Sequence, residues 1–129
     1  MNTIFYARHV NNWESKSIDG SVIEYLYNKR AIGIYFKGKE SWDVEDYDGQ
    51  GKSAIKYINN CNENSDNKYI FASYTIDGEQ KILLGKPKRG SKCFLSEHLK
   101  NKDEPEVKLL FLEEAEKISL GDFPFAYLL

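Results

Sequence analysis

Residues 69–84 have the sequence YIFASYTIDGEQKILL, in which two β-prone runs flank an Asp-Gly pair. The first run covers residues 69–76 and the second residues 80–84, and both are rich in the β-branched and aromatic residues that strands favour. Asp77-Gly78 suits the tight turns whose twist matches that of two paired strands. The segment therefore predicts an antiparallel hairpin.

The chain before the hairpin predicts two strands and two helices. Residues 3–8 form a β-prone run that a turn-prone segment follows, and Asp19 is placed to cap a helix over residues 22–27. The short apolar run at residues 31–36 is bounded by charges, which predicts a central strand buried on both faces. Ser53 is placed to cap a second, amphipathic helix that ends near Cys61.

Less regular segments separate these elements. Residues 38–52 are acidic, contain glycine and lack apolar periodicity, which predicts a loop that carries Trp42 and Tyr47. The basic segment 86–92 contains Pro and Gly and predicts a second loop. Residues 107–112 predict a further strand, with more apolar material at 118–120 and 123–129.

This order of elements predicts an α+β fold with a small, curved, mostly antiparallel sheet or partly open barrel and two helices. A chain of 129 residues with 41% hydrophobic residues is expected to form one domain spanning residues 1–129. An apolar end without a polar tail is the pattern expected of an N-terminal domain that continues into a longer protein.

Charge and cysteine content narrow the class of protein. The net charge of −2 gives no global basic field, so binding to nucleic acid would need a local basic patch. The N-terminus lacks a signal-peptide pattern and no run approaches the ~20 apolar residues that span a bilayer, so a cytoplasmic location without membrane association is expected. Cys61 and Cys93 form no CxxC motif and are expected to be free thiols.

No motif in the chain predicts catalysis, a metal or a cofactor. His9 and His98 lie outside any nucleophile motif and are interpreted as surface or strand-end histidines. The acidic residues between positions 43 and 48 lack calcium-loop spacing and are interpreted as a solvated loop. The sequence GQGKS at 49–53 lacks the first glycine of a phosphate-binding loop, because position 46 is Asp46.

A set of aromatic and basic residues gives the more specific indication. Aromatic faces stack on bases and Lys or Arg side chains contact phosphates, so such a set suits nucleic-acid binding. The alternative is that the aromatics belong to the core and the basic segment is a solvated turn. The candidates are Arg8, Trp13, Tyr35, Phe36, Trp42, Tyr47, Tyr74, Lys86, Lys88, Arg89 and Lys92.

The chain also resembles PUA-like domains of the EVE and related types. An opening strand that ends in Arg8-His9, then Trp13, then a helix leading into AIGIYF at 31–36 is similar to the start of such domains. The segments 69–74, 83–86 and 118–124 fit the same layout. In several restriction-type nucleases a domain of this kind precedes the catalytic part.

The resemblance implies a pseudo-barrel with a pocket for a flipped, often modified, base. By position, Trp13, Tyr35, Phe36, Ser73 and Tyr74 would line the pocket, and the loop from Lys86 to Lys92 would contact the phosphate backbone. The chain departs from the family in the segment before the third strand, residues 62–68, and in its acidic balance.

The leading functional hypothesis is a non-enzymatic module that binds DNA, including modified DNA, or RNA. The resemblance adds an association with a fused or separate nuclease in restriction or phage defence. The alternative is a protein-interaction or inhibitor module that uses the acidic loop from Glu40 to Asp48 to mimic nucleic acid or to contact a basic partner. A third hypothesis, a small hydrolase or nuclease, would require a conserved set of acidic and lysine residues.

Overall fold

A computed structural model describes residues 3–10, 15, 17–18, 20–35, 41–102 and 107–118 of the chain. In chain order, the elements are β1 (Thr3–His9), α1 (Val22–Lys29), β2 (Ala31–Ile34), a 3-10 helix (Val44–Asp46), α2 (Gly49–Glu63), β3 (Lys68–Ile76), β4 (Glu79–Pro87), β5 (Cys93–Phe94), α3 (Leu95–Leu99) and β6 (Lys108–Ile118). This succession confirms the predicted α+β class.

The strands form one curled sheet. Its order is β1-β3-β4-β6-β2, and β5 pairs with β6 on the edge opposite β2. Only β1 and β3 run parallel among the described strands, and the other pairs are antiparallel. The predicted mostly antiparallel, curved sheet or partly open barrel is therefore confirmed as a half-barrel.

The hairpin of β3 and β4 is confirmed. Ile76 faces Glu79 across the turn, and both turn residues, Asp77 and Gly78, have positive φ values of 52° and 80°. Two successive positive φ values are what a type I′ turn requires. β4 continues to Pro87, so Lys86 lies in a strand, and its prediction as a loop residue is wrong.

A bulge between β4 and β6 contributes to the curl of the sheet. The register shifts between Leu84 and Lys86, and Glu114 on the opposite strand has a φ of 52°. A Cβ atom at Gly85 would lie 2.9 Å from the Cβ of Ala115, so only glycine allows the two strands to approach this closely. Bulges bend a sheet and increase its local twist.

α1 packs against the core through Val22, Ile23 and Leu26, all fully buried. The N-cap of the helix is Ser21, whose Oγ accepts a hydrogen bond of 3.2 Å from the backbone N–H of Glu24. Ser21 is thus the cap, and the prediction of a cap at Asp19 is wrong; Asp19 itself lies outside the described residues.

Two further predictions of position are wrong. β2 ends the sheet order and is not central, although Ala31 and Ile32 are buried, because its only paired neighbour among the described strands is β6. α2 starts at Gly49, and its N-cap is Asp48, five residues before the predicted cap at Ser53. The first turn of α2 lacks apolar residues, so periodicity gave no sign of it.

The last third of the described chain contains elements that local pattern did not predict. β5 and α3 fall in a stretch without a clear periodic signal, and Ile118 belongs to the same strand as Lys108. Cys61 and Cys93 are unpaired, as predicted. No helix among the described residues is both long and apolar enough to cross a membrane.

Candidate nucleic-acid interface

The curl of the sheet brings its two end strands together. The backbone N–H of Gly33 on β2 donates a hydrogen bond of 3.0 Å to Nε2 of His9 on β1. Nδ1 of His9 lies 2.9 Å from the carbonyl oxygen of Ser73 on β3. We call this junction between β1 and β2 the seam, and the His9 side chain spans it.

The partners of His9 fix its protonation. The Gly33 N–H can only donate and the Ser73 carbonyl can only accept, so Nε2 is the bare acceptor and Nδ1 carries the hydrogen. Burial lowers the pKa of His9 to about 4, although the bond to Ser73 opposes this shift. His9 is therefore a neutral, buried histidine at the end of β1, so of the two predicted alternatives strand-end is correct and surface is wrong.

A cleft of about 240 Å³ lies at the seam. Its walls come from residues 5–9 of β1, from Gly33 and Ile34 of β2, and from Gln50, Gly51 and Ala54 in the first turns of α2. Sites for drug-sized ligands usually measure about 300–1,000 Å³. The cleft therefore suits a smaller group, such as one planar ring system.

Tyr6 and Arg8 of β1 are exposed and line this cleft, as does Gln50 of α2. Alternate residues of a strand point to the same face, so both side chains stand on the outer face of β1 while Phe5, Ala7 and His9 point inward. Tyr6 is 65% exposed, and its ring centroid lies 5.7 Å from that of Phe71 on β3. Tyr6 and Arg8 thus share the outer face of β1, and both residues line the cleft.

Of the predicted pocket residues, Ser73 and Tyr74 lie behind the cleft. Ser73 is buried and contributes its carbonyl oxygen to His9. Tyr74 is fully buried, its ring stacks on His9 at 4.4 Å, and its hydroxyl donates a 2.6 Å hydrogen bond to the Ala31 carbonyl. Burial raises the pKa of Tyr74. The interpretation of Tyr74 as a residue that stacks on a base is wrong, because its ring is already enclosed.

The remaining aromatic candidates are not gathered at the cleft. Tyr35 directly follows β2 and packs, half-buried, against the core. Trp13 and Phe36 lie outside the described residues. Tyr47 is buried, and its hydroxyl donates a 2.7 Å hydrogen bond to the Ser41 carbonyl.

A second candidate region lies at the other end of α2, in residues 88–92, which we call the cationic loop. Lys88 and Arg89 are exposed and form no ion pair within the described part of the chain. The loop is held in place by backbone N–H groups: that of Gly90 donates to the Asn62 carbonyl at 2.9 Å, and that of Lys92 to Asn62 Oδ1 at 2.9 Å. The exposed side chains of Lys88 and Arg89 therefore extend from a backbone that these hydrogen bonds hold in place.

The structure brings Trp42 and Lys92 together. Nζ of Lys92 lies 4.9 Å from the centroid of the Trp42 ring and donates a 2.8 Å hydrogen bond to Asn59 Oδ1. The Trp42 ring also lies 5.7 Å from that of Phe94. Trp42 is therefore half-buried between a cation and a second ring, and the pair anchors the loop.

Lys86 belongs to neither region. It lies on β4, where its Nζ is 3.1 Å from the Glu114 carboxylate. The side-chain hydrogen bond to Glu114 raises the pKa of Lys86.

The two regions lie well apart along α2. Gln50 borders the cleft and Asn62 holds the cationic loop. Twelve helical residues correspond to about 18 Å. This length equals the rise of about five base pairs of duplex DNA. One nucleic-acid molecule is long enough to contact both regions.

The acidic segment uses its carboxylates locally. Asp43 accepts a 3.0 Å hydrogen bond from the Glu45 N–H, and the Asp46 carboxylate accepts one from the Ser41 hydroxyl. Glu45 also lies 3.6 Å from Nζ of Lys52. Within the described ranges, no group of three or more His, Cys, Asp or Glu residues is arranged to hold a metal ion.

Sequence reasoning missed Tyr6 and the bridging role of His9. The one available signal was the alternation in β1, which sets Ile4, Tyr6 and Arg8 on one face. Both faces of β1 carry apolar residues, so the alternation did not show which of the two is buried and which is exposed to solvent. No protein-family model, curated protein or solved structure matches this chain.

Proposed function

We propose that this chain is a nucleic-acid-binding module whose seam cleft accepts one base and whose cationic loop contacts phosphates. The observation that carries the proposal is the exposed pair Tyr6 and Arg8 on a cleft of about 240 Å³. Tyr6 offers a face for base stacking, which contributes about 1–3 kcal/mol per base in comparable sites. Arg8 offers paired donors to acceptors on a base edge.

The chemistry of the cleft favours a planar ligand with hydrogen-bond acceptors on its edge. Its described lining contains no carboxylate, and the neutral state of His9 leaves Arg8 as the cation among those residues. Phe5, Ala7 and Ile34 supply apolar walls. A base that enters such a cleft from the stack or from a single strand exchanges water for apolar and hydrogen-bonding contacts.

The resemblance to PUA-like domains of the EVE type supports the same proposal. It implies a flipped and often modified base, DNA or RNA as the partner, and an attached nuclease in restriction or phage defence. The proposal transfers the stacking role from Tyr74 to Tyr6, because Tyr74 is buried and Tyr6 is exposed. The phosphate-contacting role stays with Lys88 and Arg89. The chain itself acts without catalysis.

The acidic loop gives weaker support to the alternative of a protein partner. Asp43, Glu45 and Asp46 already form local hydrogen bonds or ion pairs, and an acidic mimic of nucleic acid presents free carboxylates.

Fluorescence anisotropy tests the proposal with short labelled oligonucleotides, single-stranded and duplex, with and without 5-methylcytosine or N6-methyladenine. The Tyr6→Ala variant should bind about 1–3 kcal/mol more weakly than wild type, because it lacks the stacking face. The matched control is Ile4→Ala, since Ile4 stands on the same face of β1, is 51% exposed and lies outside the cleft.

Equal affinity losses in Tyr6→Ala and Ile4→Ala would remove the base-binding role from the cleft. Absence of wild-type binding to every oligonucleotide at about 50 mM salt would overturn the nucleic-acid proposal as a whole. Circular dichroism of each variant confirms that a lost affinity does not reflect unfolding.

A further inference from the structure

The seam is closed differently from the rest of the sheet. Among the described strands, β1 and β2 share no strand pairing, and the hydrogen bond from the Gly33 N–H to His9 Nε2 crosses between them. Elsewhere backbone ladders join neighbouring strands, as in the four-residue pairing of β2 with β6. At the seam, a hydrogen bond to one imidazole nitrogen thus joins two strands, whereas backbone ladders join the other neighbouring strands that the structure describes.

We infer that His9 is an acid-sensitive latch that holds the seam of the half-barrel closed. Uptake of one proton from solvent at Nε2 turns the acceptor of the Gly33 N–H into a second donor. Two N–H groups then face each other, and the Gly33 N–H loses its partner. Protonation of Nε2 therefore breaks the hydrogen bond between the Gly33 N–H and His9.

Burial, without a carboxylate among the described residues of the cleft lining, opposes an imidazolium at His9. His9 is 3% exposed, and the Tyr74 ring of β3 is stacked on it in a nearly parallel orientation, with an interplanar angle of 1°. Arg8 is the neighbouring cation on β1, and Gln50 is the polar residue that α2 places on the cleft. β2 contributes only Gly33 and Ile34. No described residue of the cleft lining therefore supplies a compensating negative charge.

Protonation should open the seam on one side only. The bond from Nδ1 to the Ser73 carbonyl is kept, because Nδ1 is a donor in both protonation states. His9 therefore stays attached to β3, while β2 is released from β1 and remains paired with β6. The expected change is a local parting of β1 and β2 that widens the cleft. This inference depends on the seam geometry and not on the ligand of the proposed function.

An NMR titration of the wild-type protein from about pH 7 to pH 4 tests the latch. At neutral pH the imidazole ¹⁵N shifts should report a hydrogen on Nδ1 and none on Nε2. The protection factor of the Gly33 amide should fall about tenfold for each pH unit as the protonated fraction of His9 rises. At each pH the Leu83 amide on β4 should remain better protected than the Gly33 amide, which separates seam opening from global unfolding.

Two histidine variants provide the controls. His98→Gln removes the other histidine of the chain, which contacts Tyr25 at 2.9 Å, and should keep the wild-type response of Gly33. His9→Gln should abolish that response, because glutamine does not titrate. If His9→Gln fails to fold, the wild-type titration alone decides. Three outcomes would each overturn the latch. His9 could titrate near its ordinary pKa, the Gly33 amide could keep its protection while His9 becomes protonated, or folded His9→Gln could show the wild-type response.

Discussion

The two ends of α2 face regions of opposite character. At its first turns, the seam cleft is concave, its described lining contains one cation, and the side chains behind it are buried and hydrogen-bonded. Near its last turn, the cationic loop presents Lys88 and Arg89 to solvent, while Lys92 and Trp42 hold the loop in place. The first region is suited to selecting a ligand by shape, and the second to attracting it by charge.

The sequence analysis treated base recognition and phosphate contact as properties of one set of residues, whereas the structure places the corresponding residues in two regions. Recognition of a base requires desolvated contacts in a fixed cleft, whereas phosphate contacts act through exposed charge and depend on salt. Changes at the seam should therefore affect stability or selectivity, and changes at the loop should affect the salt dependence of binding.

Replacing Tyr74 by Ala should destabilise the protein by about 3–5 kcal/mol, because a fully buried ring is removed and a cavity remains. Tyr74→Phe should cost about 1 kcal/mol through loss of the hydrogen bond to the Ala31 carbonyl. Urea denaturation followed by circular dichroism measures both values. Tyr6→Ala is the matched control and should change stability by less than about 0.5 kcal/mol, since Tyr6 is exposed. A stable Tyr74→Ala variant would contradict the assignment of Tyr74 to the core.

Acidification should remove about 3 kcal/mol of stability through His9, because its pKa falls from 6.5 to about 4 on folding. The unfolded chain takes up the proton first, so this contribution is complete above pH 6.5. It is lost as the pH falls towards 4. Urea titrations at several pH values measure the slope, and His9→Gln should flatten it. An equally steep slope in His9→Gln would assign the acid sensitivity to other groups.

Removing the two free cations of the loop should alter the salt dependence of binding more than the preference for a base. The double variant Lys88→Gln with Arg89→Gln loses two phosphate contacts. When salt rises from 50 to 200 mM, the factor by which its affinity falls should therefore be about tenfold smaller than for wild type. Anisotropy titrations at both concentrations give this ratio. The charge-matched control is Lys56→Gln with Lys81→Gln, and an identical effect there would show that net charge, not the loop, controls binding.

The smallest effect concerns the anchor of the loop. Lys92→Ala should lower stability by about 0.5–1 kcal/mol, because it removes the contact of Lys92 with the Trp42 ring. Lys88→Ala should leave stability unchanged, since Lys88 forms no described ion pair. Thermal unfolding of the two variants measures the difference. A larger loss in Lys88→Ala would reverse the roles assigned to the two lysines.

Local sequence determined the hairpin turn and several of the strands of this protein. The Asp77-Gly78 turn predicted the hairpin, and runs of β-branched and aromatic residues predicted the strands, because turn chemistry and strand propensity act over a few residues. The α+β class followed from the order of these elements.

Only the tertiary structure decided which residues face the seam and which face solvent. β1 has apolar residues on both faces, so its alternation alone could not place Tyr6 outside and His9 inside. The enclosure of Tyr74 by His9, and the contact of Lys92 with Trp42, join residues that are far apart in the chain. Such contacts depend on the order and curl of the whole sheet, which a local pattern does not encode.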